Sequence, residues 1–190
     1  MISERDQEIF GGERAFRDYR LETFKPSEKT AAAFAAAKDF SKTIDNLYFF
    51  GPAGTGKTHL AIATARTAPV RYFLTIKPME LARRVRAEES ASGEGRVIRR
   101  YAEAPVLVID DLGIEKMTEF MASVLYEVID WRYMNQPSGL IVTSNIGLDG
   151  LAARVGDDRI PSRLAQMTKR HSFVGEQDHR IIASDKRAKQ

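Results

Sequence analysis

The chain has no cysteine, which excludes disulfides and any zinc or iron–sulfur centre held by thiolates. It has no apolar run approaching the roughly 18 residues needed to cross a bilayer. The opening residues, Met1 to Glu8, are polar and of mixed charge, unlike a secretory leader. Its three histidines, His59, His171 and His179, lack metal-ligand spacing and read as structural or surface residues. No internal repeat or low-complexity tract interrupts the sequence. These absences leave a cytoplasmic, membrane-free protein as the expectation.

The 190 residues fit one compact domain with short tails. A hydrophobic share of 43% and a charged share of 29% are ordinary for a globular protein. The net charge of +3 permits contact with nucleic acid without requiring it. Residues 1–26 read as an arm with scattered aromatics, 27–184 as the folded domain, and 185–190 as a basic tail.

Short apolar runs alternate with helical periodicity. Strands are expected at Asn46–Phe50, Val70–Thr75, Val106–Ile109, Leu140–Val142 and His171–Val174. Helices are expected at 27–40 with Ser27 and Thr30 offering caps, at 58–68, at 77–87, at 96–102 after a polar loop 90–95, at 118–135, around Gly150-Leu151 and at 159–167. This alternation predicts an α/β fold with a parallel sheet wrapped by helices.

Between the first strand and its helix lies Gly51-Pro52-Ala53-Gly54-Thr55-Gly56-Lys57-Thr58, the pattern Gly-x-x-x-x-Gly-Lys-Thr. Glycines let a backbone fold around a phosphate chain with its N–H groups pointing inward, and the helix N-terminus adds positive partial charge. Lys57 reaches the β- and γ-phosphates and the Thr58 hydroxyl ligates Mg²⁺ in such loops. The cofactors expected are therefore ATP and Mg²⁺, with His59 next to the cradle.

Asp110 and Asp111 follow four apolar residues, at the strand end where ligands lie in open parallel sheets. Asp110 is the candidate metal holder and Asp111 the candidate base for the attacking water. Thr143-Ser144-Asn145 ends the fourth strand, placing Asn145 to contact a γ-phosphate or the lytic water. Arg163 and Arg180 are candidates to stabilise charge on a transferring phosphoryl group. A glycine turn without ligand, an Asp-Asp turn after a strand and merely solvated arginines are the alternatives for these three features.

With these features in order, the chain resembles AAA+ ATPases of the DnaC/IstB group, the replicative helicase loaders and transposition helpers related to DnaA initiators. The segments Asn46–Gly51 and Gly56–Ala61 resemble the group's Walker A region, and Val108–Gly113 its Walker B with Asp in the second position. Thr143-Ser144-Asn145 resembles sensor I, Ser162-Arg163-Leu164 the arginine-finger box, and Arg180 falls at the sensor II position. The resemblance implies a five-stranded AAA+ core without a C-terminal lid, with ATP between neighbouring subunits, Arg163 serving the neighbour's nucleotide and Arg180 its own. It also implies that Tyr19 and Leu21, in the linker before the core, line the adenine pocket.

The implied partners are single-stranded DNA, a replicative helicase or transposase, and further copies in an ATP-dependent homo-oligomer. Lys77–Arg100, with seven cations against four carboxylates, is where the group faces single-stranded DNA. The arm stands where loaders carry a helicase-gripping domain. The leading expectation is a DnaC-like helicase loader acting in replication, with an IstB-like transposition helper second. A P-loop small-molecule kinase, or a module using ATP only as a structural staple, are the readings from other classes.

Overall fold

The computed structural model describes residues 16, 18–135, 139–176 and 178. Five parallel strands lie in the order β2-β3-β4-β1-β5: β1 Leu47–Phe50, β2 Leu74–Ile76, β3 Leu107–Leu112, β4 Leu140–Ser144 and β5 Lys169–Ser172. The helices are α1 Ala31–Thr43, α2 Lys57–Thr67, α3 Pro78–Arg86, α4 Ala91–Ala102, α5 Glu119–Asn135, α6 Leu148–Val155 and α7 Arg159–Met167. This is the α/β AAA+-like arrangement expected from the sequence. Among the described residues no helical lid follows β5.

The inner strands open on unbroken apolar runs, Leu47–Phe50, 107–109 and 140–142, because both sheet faces are covered. Leu47, Phe49, Val106, Val108 and Ile141 point to the side that holds α1 and α2, with Phe40 and Leu60. Their neighbours Tyr48, Leu107, Ile109, Leu140 and Val142 point to the opposite side, among side chains of α3 to α7. Ala33 and Ala37 are buried on α1, where small side chains let the helix approach its neighbours closely.

Several boundaries differ from the sequence expectation. Strand β2 begins at Leu74 rather than Val70, since only from Leu74 onward is the chain in register with Leu107 to Ile109. Val70 and Phe73 pack into the core beside it. Strand β5 starts two residues early, because Lys169 N–H donates to Asn46 O at 2.8 Å and sets the register with β1. As an edge strand it tolerates polar residues, so its apolar end at Phe173 misplaced it. Helix α4 starts at Ala91, not Arg96: Ser90 Oγ accepts from Gly93 N–H at 3.2 Å and caps a turn that its glycines had disguised. Helix α1 starts at Ala31, as Ser27 N–H donates to Thr30 Oγ1 at 2.9 Å and these hydroxyls close a preceding turn instead of capping it.

Strand β3 runs past Ile109 through the acidic pair. Its register with β4 breaks between Ile109 and Leu112, and Asp111 takes a left-handed φ of 63°. Such a bulge turns side chains at a sheet's rim away from plain alternation.

Candidate nucleotide site

The loop between β1 and α2 curls on itself through two bonds to one carbonyl. Thr55 Oγ1 donates to Pro52 O at 2.9 Å, and Lys57 Nζ donates to the same oxygen at 2.6 Å. Gly54 has φ 75° and Gly56 φ 91°, a region that L side chains avoid. At Gly51 a Cβ would come within 2.8 Å of the Phe173 carbonyl carbon, so the loop's first residue must be bare to lie against the chain leaving β5. Lys57 is buried to 5% exposure and opens α2.

Beneath the loop a three-residue network joins α2, β3 and β4. Thr58 Oγ1 donates to Asp110 Oδ1 at 2.8 Å, and Thr143 Oγ1 donates to the same oxygen at 2.6 Å. Thr143 Oγ1 in turn accepts the Asp111 N–H at 2.9 Å, which ties the bulge to β4. Burial raises the Asp110 pKa, opposed by the hydrogen bond from Thr143; the Asp111 charge adds to the rise and the Thr58 bond opposes it. A cation beside this carboxylate would reverse that balance.

Asp111 points to the cleft mouth, where Lys77 Nζ lies 2.5 Å from its Oδ2. The hydrogen bond to Asp111 is the main cause of a raised Lys77 pKa. Lys77, immediately after β2, was legible in the sequence only as one cation of a basic segment. Its pairing with Asp111 depends on β2 and β3 being neighbours.

The cleft has a volume of about 400 Å³ and is bordered by Gly54, Lys57, Thr58, His59, Asp111 and Asn145, with Tyr19, Thr23 and Phe24 on the side of the arm. Tyr19 stacks on His59 with ring centroids 4.7 Å apart and 8° between planes. Phe24 meets the same imidazole edge-on at 5.5 Å. His59 Nε2 is 3.1 Å from both Thr23 Oγ1 and Arg20 O. These contacts hold the linker against α2. Leu21 does not join this wall and borders a separate hollow with Arg66, Val70 and Phe73.

Arg163 is not among the residues bordering the cleft. Its Nε donates to Asp130 Oδ1 at 2.9 Å, and its guanidinium lies 4.2 Å from the Tyr133 ring centroid. Arg159 on the same helix sits 4.3 Å from the Tyr126 ring centroid. Both arginines of α7 are thus splinted on α5 by an aromatic face, which restrains long side chains while leaving donors available. Arg180, His179 and the basic tail 185–190 lie outside the described residues.

The basic segment presents Arg83, Arg86, Arg96, Arg99 and Arg100 as exposed side chains of α3 and α4. Arg84 is committed elsewhere, to Glu80 at 2.9 Å and the Tyr101 hydroxyl at 2.9 Å. Among the described residues, no helix is long and apolar enough to cross a membrane.

Comparison with known proteins places these features in a family. Residues 10–176 match the model of the IstB-like ATP binding protein family. The ATP-binding protein of insertion sequence IS5376 from Geobacillus stearothermophilus is 31% identical over 134 residues, covering 68% of this chain and 52% of that protein. The replicative helicase loader DnaC of Escherichia coli K12 is 24% identical over 137 residues, covering 70% and 56%. The chain therefore spans about half the length of these curated relatives. Among solved structures, a DnaC helicase loader aligns with a TM-score of 0.73 at 24% identity, covering 84% of this chain and 98% of that one. AMPPCP-bound DnaA from Aquifex aeolicus aligns at 0.72 with 20% identity, covering 90% and 55%; at these identities the likeness is one of fold. With its phosphate loop, acidic bulge and five-stranded sheet in the positions described, the chain belongs to the IstB-like ATP-binding family of AAA+ proteins, related to the DnaC loaders.

Proposed function

We propose that this chain binds and hydrolyses ATP and acts on DNA as the ATPase helper of a transposition system. The observation that carries the ATPase reading is the network of Thr58, Asp110 and Thr143 beneath the phosphate loop, with Asp111 and Asn145 on the same cleft. Two hard oxygens 2.8 Å apart, one from a hydroxyl and one from a carboxylate, match Mg²⁺, which takes few protein ligands and keeps water and phosphate oxygens.

When bound, Mg²⁺ supplies charge neutralisation at the phosphate oxygens. The rest falls to the chain. The loop amides and the α2 N-terminus bind the oxyanions, and Lys57 exchanges the Pro52 carbonyl for them. Asp111, on the cleft and paired there with Lys77, accepts a proton from water once Lys77 releases its oxygen. Asn145 orients that water. Tyr19 and His59, which line the cleft on the side of the arm, would wall the nucleobase.

The DNA reading draws on the five exposed arginines of α3 and α4, which would track phosphates with salt-sensitive affinity. The sequence alone favoured a helicase loader. The IstB-like family and the insertion-sequence relative at 31% identity favour the transposition helper instead, while the DnaC relative supports the loader as second reading. Mass photometry with Mg-ATP is expected to find assemblies that grow on DNA, and phosphate release is expected to rise when DNA is added. Monomers under all conditions, with turnover indifferent to DNA, would sink the DNA-linked reading. A pull-down against the cognate transposase and the replicative helicase separates the two uses.

Arg163 is the proposed donor to a neighbour's nucleotide, in a head-to-tail assembly. Arg163→Ala is expected to retain nucleotide binding yet lose about 10³-fold in turnover. Mixing it with Asp111→Asn, which keeps Arg163 but lacks the base, should restore part of the rate, since each subunit supplies what the other lacks. A mixture as inactive as its components, or a parent-like Arg163→Ala, removes the in-trans role.

A further inference from the structure

Beyond β5 the chain crosses the phosphate loop and is anchored as it goes. Phe173 N–H donates to Phe50 O at 2.7 Å, and Lys29 Nζ donates to the Gly175 carbonyl at 2.6 Å. Ser27 Oγ donates to the Glu176 carboxylate. The first contact lies on β1 and the other two come from the turn before α1, so the strap is held from two separate elements. Asp178 lies against Gly54 of the loop. A Cβ at Gly54 would overlap the whole Asp178 carboxylate, both oxygens and the carbon between them.

A carboxylate is the commonest side-chain oxyanion, and the loop it touches is built to hold oxyanions, from backbone amides, a helix N-terminus and Lys57. We propose that Asp178 is a resident stand-in for a nucleotide phosphate, and that the strap carrying it is an autoinhibitory contact which the triphosphate must displace. This rests on the nucleotide-site reading above. Two arguments make the two occupants exclusive. The space over Gly54 is filled by the carboxylate, and a second anion beside it would meet like-charge repulsion in a partly buried site. The free protein is then mostly in a closed form, and apparent affinity falls by the fraction that is open.

The kinetic signature follows from competition in the free state. Removing the carboxylate speeds nucleotide entry and leaves escape unchanged. Stopped-flow fluorescence with a mant-labelled ATP analogue and Mg²⁺, on the full chain, is the test. Asp178→Asn and Asp178→Ala are expected to raise the association rate and apparent affinity by about fivefold or more, with the dissociation rate unaltered. Lys29→Ala, which loosens an anchor without touching the loop, should move both in the same direction by less. Wild type that binds poorly beside an Asp178→Asn variant that binds well supports the proposal most directly. If wild type binds and the Asp178 variants match it or bind more weakly, the strap is wrong and the nucleotide site stands. If none of these proteins takes up nucleotide, the nucleotide-site reading itself fails, and this proposal with it.

Discussion

Lys57→Ala is expected to lower kcat/KM for ATP by at least about 100-fold, or ~2.7 kcal/mol of transition-state stabilisation. The side chain is buried, and its ammonium is held 2.6 Å from the Pro52 carbonyl. Alanine removes the cation the loop offers to phosphate and leaves the glycine backbone intact. The fold should survive. A desolvated ammonium is costly to bury, and the Pro52 carbonyl keeps the Thr55 hydroxyl as a donor. Phosphate release gives the first quantity and thermal melting the second. A variant that turns over within threefold of the parent removes Lys57 from the chemistry. One that melts far below it while the parent releases no phosphate points instead to ATP as a structural staple.

The second large effect concerns Arg132, which no motif flags. It is 1% exposed on α5, and its guanidinium serves three separate stretches of backbone. Nη1 donates to Ala102 O and Ala104 O at 2.8 Å each, and Nη2 donates to Gly139 O at 2.8 Å. Those carbonyls belong to the end of α4, the entry to β3 and the entry to β4. Burial draws its pKa down to about 10, still far above neutrality, so the group stays charged and its donors stay available.

Arg132→Met keeps much of the volume and removes every donor. Relief from burying a charge favours the variant, and Gly139 O keeps the Leu107 N–H as a donor at 3.0 Å, but the buried Ala102 and Ala104 carbonyls lose the guanidinium at roughly 1–3 kcal/mol each. The losses win, and a net destabilisation of about 2–4 kcal/mol is expected. For a chain of this length that lowers the melting temperature by about 10 °C. Denaturant unfolding checks the free energy. A loss below about 1 kcal/mol would mean that water or rearranged backbone replaces the guanidinium. ATP turnover per folded molecule should be unchanged at temperatures where the variant is folded, since Arg132 is absent from the cleft border.

The strands illustrate what could be read from local sequence. Val106 to Ile109 and Leu140 to Val142 are apolar at every position, which is the signature of a sheet covered on both faces; β3 takes up the first run from Leu107 and β4 contains the second. Edge strands gave weaker signals. Lys169-Arg170-His171-Ser172 forms β5 because backbone pairing with β1 requires it, while its side chains are largely exposed. The start of β2 was misplaced for a related reason: Val70 and Phe73 are apolar to fill the core, not to pair.

The site divides in the same way. Gly51 to Thr58 is picked out in the sequence because the pattern expected of a phosphate cradle, bare amides, a lysine and a hydroxyl at fixed spacing, lies along one continuous segment. Asp110, Asp111 and Asn145 were legible because strand ends announce themselves by apolar runs that stop at polar residues. Such requirements act over a few neighbouring residues, so sequence order alone carries them.

Other partnerships join residues far apart in the chain. Lys77 reaches Asp111 across 34 positions, Thr143 reaches Asp110 across 33, and Arg163 reaches Asp130 across 33. Each depends on strand order or helix packing, which no local pattern encodes. The sequence by itself determined the layered α/β core and marked the glycine loop 51–58 as the candidate cradle, because periodicity and a contiguous motif are one-dimensional properties. Tertiary structure alone decided that Lys77 restrains the acid, that Arg132 staples three backbone segments and that Asp178 lies on Gly54, because hydrogen bonds and ion pairs form by distance in space.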